Sequence, residues 1–206
     1  MDKMERNIMV VPVNVLFSEY ERKTGFYDKS YDFKTIIENN FEYMKRKFAE
    51  YDENYKQPLP YALLQSPDGK FFMYQRWGKN SQVGESRLYD KVSFWVGWHI
   101  EEDVKDSKTP LEESLLREIE EETWLSRKDI QDIKLVWYIN DDTNEVWKVH
   151  FWVAYIVKLK TDKFKIDEWE LAYWEFLHKN DIIKLINNPK VDIEPWSKII
   201  LENLVL

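Results

Sequence analysis

The run Arg117-Glu118-Ile119-Glu120-Glu121-Glu122 concentrates carboxylates inside an apolar-periodic segment. Over Pro110 to Thr123, turning about 100° per residue, Leu111, Leu115 and Ile119 fall on one stripe with Leu116 at its flank. Glu118 and Glu122 land on or beside that stripe and Glu121 adjoins it, while Glu113, Arg117 and Glu120 project elsewhere. A carboxylate facing a core costs free energy unless something positive compensates it. Acids at i, i+3 and i+4 repel one another unless a multivalent cation lies between them. Hard divalent ions take oxygen ligands, and Mg²⁺ is commonly held by a few carboxylates together with water and substrate phosphate. Glu118, Glu121 and Glu122 therefore read as half of a site for Mg²⁺ or Mn²⁺ and a phosphorylated small molecule. A solvated, salt-bridged acidic face is the competing reading.

Such a helix needs a scaffold. Residues 8 to 17 are strand-like, and Phe33, Ile36, Ile37, Phe41, Met44 and Phe48 predict an amphipathic helix over about 32 to 50. That helix would cover a sheet or form part of a homodimer contact. Tyr61 to Gln65 and Phe71 to Arg76, joined by Asp68-Gly69, predict a hairpin. Further strands are expected near 92–97, 131–139, 146–159 and 169–176, with helices at 110–123, 179–187 and 195–205. No linker, repeat or low-complexity tract interrupts the chain. Residues 1–57 read as a strand and helix extension packed on a main domain of residues 58–206. Strands mixed with helices imply an α/β (α+β) class, with a mixed sheet between helical layers.

With 206 residues, 44% hydrophobic and 33% charged, the chain can bury a sizeable core. Its formal charge of -8 argues against coating a nucleic-acid polymer, because affinity for a phosphate backbone comes largely from Lys and Arg. A single nucleotide remains compatible, since a local metal ion and a few basic residues overcome the overall sign. The absence of Cys excludes disulfides, thiolate zinc sites and cysteine nucleophiles. The charged start Met1-Asp2-Lys3-Met4-Glu5-Arg6 does not read as a secretory signal. No stretch approaches the roughly 20 apolar residues that cross a bilayer, so a cytoplasmic location is expected.

The segment from Gly97 to Leu125, GWHIEEDVKDSKTPLEESLLREIEEETWL, resembles the Nudix box, the loop-helix-loop signature of hydrolases acting on nucleoside diphosphates linked to another group. Arg117, Glu118, Ile119, Glu121, Glu122 and Leu125 occupy the positions of its second half. Outside it, Pro60-Tyr-Ala-Leu-Leu, the Asp68-Gly69 turn, Lys70 to Arg76, Arg87 to Lys91, Val96 to Ile100, Ile139 to Asp142 and Val149-His150 look like the branch described as predicted phosphoesterases. The similarity covers about residues 58 to 180. It implies a Nudix-like α/β/α sandwich and hydrolysis of a diphosphate linkage with Mg²⁺ (or Mn²⁺). It implies Glu118, Glu121 and Glu122 as metal ligands, one of them also taking the proton from water, and Arg117 as the partner that orients a glutamate. Glu121, Glu118 and Arg117 thus form the catalytic set. Candidate substrate contacts are Arg76, Arg87 and Lys91 for phosphate, together with His99, Asp141 and Asp142. Glu145 is a further loop acid, although turn formation competes for Asp141-Asp142.

The first half of the box departs from the family. Thr109 stands where the family has Glu, and the stretch after Gly97 is longer than the pattern allows. These departures favour an alternative, a Nudix-fold nucleotide-binding or regulatory module that has lost turnover. An isoprenoid diphosphate isomerase on the same fold relies on a cysteine, and the chain has none.

Composition adds one anomaly. The chain has 5 Gly and 10 Trp, where average glycine usage of about 7% would give roughly 14. Trp95, Trp98, Trp124, Trp137, Trp147 and Trp152 fall where sequences of this branch have glycine. A coding sequence in which UGA specifies glycine, translated with UGA as tryptophan, would produce this pattern. Trp124, just past the expected helix end, and Trp98, in the turn before it, are the two positions where a glycine would matter most.

Overall fold

The computed structural model describes residues 2–76, 90–143, 145–163, 171–194, 197–199 and 201. Along the chain the elements are β1 (Asn7–Pro12), α1 (Val13–Leu16), β2 (Gly25–Asp28), α2 (Phe33–Asn40), β3 (Glu42–Lys45), α3 (Arg46–Ala49), β4 (Tyr55–Gln65) and β5 (Phe71–Arg76). They continue with β6 (Val92–Ser93), α4 (Pro110–Thr123), β7 (Ile130–Asn140), β8 (His150–Leu159), β9 (Leu171–Leu177) and α5 (Lys179–Ile186). The fold is mixed α/β with a mixed sheet, as the sequence pattern predicts. Contacts divide the chain into two compact units, one of residues 1–62, 97–118 and 134–156, the other of residues 63–96, 119–133 and 157–206.

In the first unit the strand order is β2-β7-β8-β4-β1-β3. Antiparallel β1 and β3 pair Ile8 with Met44 and Val10 with Glu42, and β2 pairs Gly25 with Asn140 and Asp28 with Trp137 on β7. Phe33 is fully buried at the start of α2. Its ring centroid lies 4.9 Å from that of Tyr27, 5.2 Å from Tyr138 and 5.0 Å from Phe151. Asp32 caps α2 through Thr35 N–H, a favoured role for an aspartate at that place.

The single helix expected over 32–50 is instead α2, a strand and α3. Asn39-Asn40 has weak helix propensity, and the Asn40 amide turns back to the Ile36 carbonyl at 2.8 Å. The residues that follow, Glu42 to Lys45, pair with the β1 edge instead of extending the helix. The strand expected over 8–17 stops at Pro12, after which Val13–Leu16 forms one helical turn. The strand expected near 92–97 is confined to Val92–Ser93, and Trp147–Val149 is a 3₁₀ turn rather than the start of β8.

In the second unit β5 pairs with β4, β6 and β9. Gln65 faces Phe71 across the hairpin, Tyr74 faces Ser93, and Phe72 faces Phe176. Ser66 N–H donates to Lys70 O at 2.8 Å and Gly69 takes φ +84°, so the Asp68-Gly69 turn forms as expected. Val92 makes a parallel bridge to Ile193. The helix expected at 195–205 is described only at residues 197–199 and 201, which are helical.

The carrier of the acidic residues, α4, forms over its expected span. Thr109 O accepts its first hydrogen bond from Glu113 N at 3.0 Å, and Pro110 sits at the first helical position, where its missing N–H costs nothing. Leu111, Leu115 and Ile119 are fully buried, which fixes the helix phase. At the other end Trp124 adopts φ +57° and its N–H reaches Glu120 O at 2.9 Å. Among the described residues no helix is long and apolar enough to cross a membrane.

Candidate functional site

Helix phase places the three acids. Glu118 is 7% exposed, next to the buried Ile119, whereas Glu121 and Glu122, one turn on, are exposed. Arg117 Nη2 lies 2.8 Å from Glu118 Oε1, and Arg117 Nε lies 3.2 Å from Asp103 Oδ2 in the 3₁₀ turn Glu102–Val104. The guanidinium therefore does two jobs: it compensates a largely buried carboxylate and sets the direction of its oxygens. Glu112, in the first turn of α4, pairs with Lys34 at 2.5 Å.

Before α4, Gly97 holds φ +151°. A Cβ there would lie 2.1 Å from Pro60 O and 2.5 Å from the Tyr61 ring, a space only glycine fits. The chain then runs through Trp98, half-buried and lying under the Arg46 guanidinium at 5.4 Å, to His99. His99 is 5% exposed. Its ring stands 5.5 Å from that of His150 and its Nε2 lies 3.8 Å from Glu50 Oε1.

At the far end of β7, Asp142 accepts from Arg22 Nε at 2.9 Å and Nη2 at 2.8 Å, from Lys56 Nζ at 2.8 Å and from Asn140 Nδ2 at 2.9 Å. Burial alone would raise the Asp142 carboxyl, but those hydrogen bonds outweigh it and hold it well below the usual carboxylate range. Lys56 has no exposed side-chain surface. Burial pulls its ammonium down to about 8 against the opposing pull of Asp142. Asp141 is buried and accepts from Thr143 N–H at 2.8 Å, a turn contact.

The remaining sequence candidates are dispersed. Arg76 ends β5, and its side chain is outside what the structure describes, as is Arg87 altogether. Lys91 pairs with Asp192 at 3.0 Å. Glu145 is exposed and pairs with Lys148 at 2.8 Å. Glu118, Glu121 and Glu122 share the last turns of one helix; His99, Asp141 and Asp142 do not lie on it. Sequence reasoning missed Asp103, Lys56, Arg22 and Glu50. Each of the first three acquires its role through a partner remote in sequence, for which spacing gives no signal.

No protein-family model matches the chain. It is 30% identical over 214 residues to Protein YmaB of Bacillus subtilis (strain 168), an alignment taking in 99% of this chain and 100% of that protein. The crystal structure of Tm1382, described as a candidate Nudix hydrolase, superposes with a TM-score of 0.76 at 26% identity, covering 97% of this chain and 98% of that one. DR0079 from Deinococcus radiodurans and a Nudix hydrolase from Alicyclobacillus acidocaldarius share the fold at a TM-score of 0.53 each, with 13% and 11% identity. Each covers 73% of this chain, and the matches take in 83% and 91% of those structures respectively. Full-length agreement with Tm1382, the glycine-locked turn at Gly97 and the Arg117-Glu118 pair on α4 converge on one assignment: the chain belongs to the Nudix hydrolase superfamily.

Proposed function

We propose that this protein is a divalent-metal-dependent hydrolase that cleaves a diphosphate linkage in a nucleoside diphosphate derivative. The observation that carries the reading is the pairing of Arg117 with Glu118 at the buried edge of α4, one turn from the exposed Glu121 and Glu122. All three glutamates are hard oxygen donors, so the donor set fits Mg²⁺ or Mn²⁺. The bound ion would supply charge neutralisation at the phosphate oxygens and a lowered pKa for water. Glu118, directed by Arg117, fixes one ligand position. Glu121 and Glu122, exposed near the end of α4, would supply further oxygens, and one of the three glutamates would also accept the proton from the attacking water. Arg76 and Arg87 are the proposed phosphate contacts, with His99, Asp141 and Asp142 as further substrate candidates. Of these, Asp142 would have to exchange a bond to Arg22 or Lys56 for one to substrate.

A second reading rests on two observations. Thr109, whose carbonyl accepts the first hydrogen bond of α4, stands where the family has an acid, and Trp124 stands where the family has glycine, in a left-handed turn at the end of α4. Both favour a binding or regulatory module that retains the ligand without turning it over. Phosphate release from a panel of nucleoside diphosphate compounds separates the two. With Mg²⁺ present, release should be measurable, should vanish on chelation, and should fall about a hundredfold or more in Glu121→Gln. Unchanged turnover in that variant would remove the α4 acids from the chemistry. Tight, Mg²⁺-dependent ligand binding without product would establish the binding module instead.

A further inference from the structure

Glu50, His99 and His150 come from three distant stretches of the first unit. Glu50 is the C-cap that follows α3, His99 lies two residues past Gly97, and His150 opens β8. One ligand-type atom from each lies within 4.8 Å of the other two. The imidazole rings of His99 and His150 are 5.5 Å apart and inclined at 64°. His99 is the unusual member. It is 5% exposed, and among the described residues neither of its ring nitrogens has a hydrogen-bond partner, its approach to Glu50 Oε1 being too long at 3.8 Å. Leaving both nitrogens of a buried imidazole unbonded is costly. Burial, with smaller contributions from Arg46 and His150, holds His99 neutral, so a lone pair is available without loss of a proton. Arg46 Nε donates to Glu50 Oε1 at 2.7 Å and its guanidinium rests on Trp98. That grip orients the carboxylate while leaving lone pairs to spare.

We propose that Glu50, His99 and His150 bind one zinc-class transition-metal ion, separately from the carboxylates of α4. Two imidazoles and a carboxylate favour Zn²⁺, Co²⁺ or Ni²⁺ over Mg²⁺, which prefers an all-oxygen shell. Donors in a tetrahedral zinc site, at metal–ligand distances of about 2.0–2.1 Å, lie about 3.3 Å from one another. The observed 3.8 Å between His99 Nε2 and Glu50 Oε1 thus closes by a small side-chain rotation. Three protein ligands leave a fourth position for water. The ion would staple the segment after Gly97 to α3 and to the first residue of β8, holding in place the backbone that leads to α4.

The test titrates metal-stripped protein with Zn²⁺ and with Co²⁺ in a large excess of Mg²⁺, comparing wild type with Glu50→Gln, His150→Gln and Glu121→Gln. The expected result is one equivalent of Zn²⁺, a visible absorption band typical of four-coordinate Co²⁺, and a rise in Tm on zinc addition. Affinity should drop at least about tenfold in Glu50→Gln and in His150→Gln and should stay unchanged in Glu121→Gln. Glu50→Gln can keep the Arg46 hydrogen bond through its amide oxygen, so the test stands if His150→Gln fails to fold. No zinc uptake would overturn the proposal and leave His99 as a packed neutral ring. So would one equivalent retained undiminished by both variants, or uptake lost only in Glu121→Gln.

Discussion

Trp124 sits at φ +57° with 65% of its surface exposed. A left-handed backbone costs a residue with a Cβ about 1–2 kcal/mol, and the exposed indole recovers little by packing. Trp124→Gly should therefore stabilise the protein by about 1 kcal/mol, read as a higher urea midpoint. Gly97 shows the opposite case. A methyl group there meets Pro60 O at 2.1 Å, and Gly97→Ala should cost about 2 kcal/mol through forced backbone displacement, with an equal method detecting it as a lower midpoint. Together these two positions show what glycine does at either end of the segment carrying α4, and only Gly97 has one.

Lys56 is the second residue of β4 and Asp142 lies two residues past the end of β7, so their bond ties two strand ends through a buried charge. Asp142→Asn would strand the Lys56 ammonium and should cost about 3 kcal/mol at neutral pH. Because the native Asp142 carboxyl lies below its ordinary 3.8, its contribution is present above that value and is lost as the pH falls through the native one. The gap between wild type and variant in urea unfolding should accordingly narrow in acid. That tie was not legible in the sequence, since Arg22, Lys56 and Asp142 are ordinary surface-type residues until the fold brings them together. The same is true of Glu50, His99 and His150. What could be read was local: Thr109-Pro110 and the Leu111-Leu115-Ile119 spacing set the bounds and phase of α4, and Asp68-Gly69 set the hairpin. The sequence misled at Glu42 to Lys45, where the helical apolar spacing runs on past Asn40 and pairing with β1 overrides it.

At the scale of the whole chain, 5 Gly against 10 Trp poses a question of coding as well as of packing. The gene should carry UGA at the codons for Trp95, Trp98, Trp124, Trp137, Trp147 and Trp152, and protein from its own source should weigh less than the written sequence by the matching tryptophan-to-glycine differences. UGG at those codons would refute this, and the six indoles would then be native. Full-length similarity to Protein YmaB and Tm1382 means that any such replacement has not moved the chain out of its family. One further consequence comes from Asp103, which reaches Arg117 from inside the stretch between Gly97 and α4. Because that acid returns to the arginine that steers Glu118, the lengthened stretch is tied near its middle to the same guanidinium that sets where the carboxylate points.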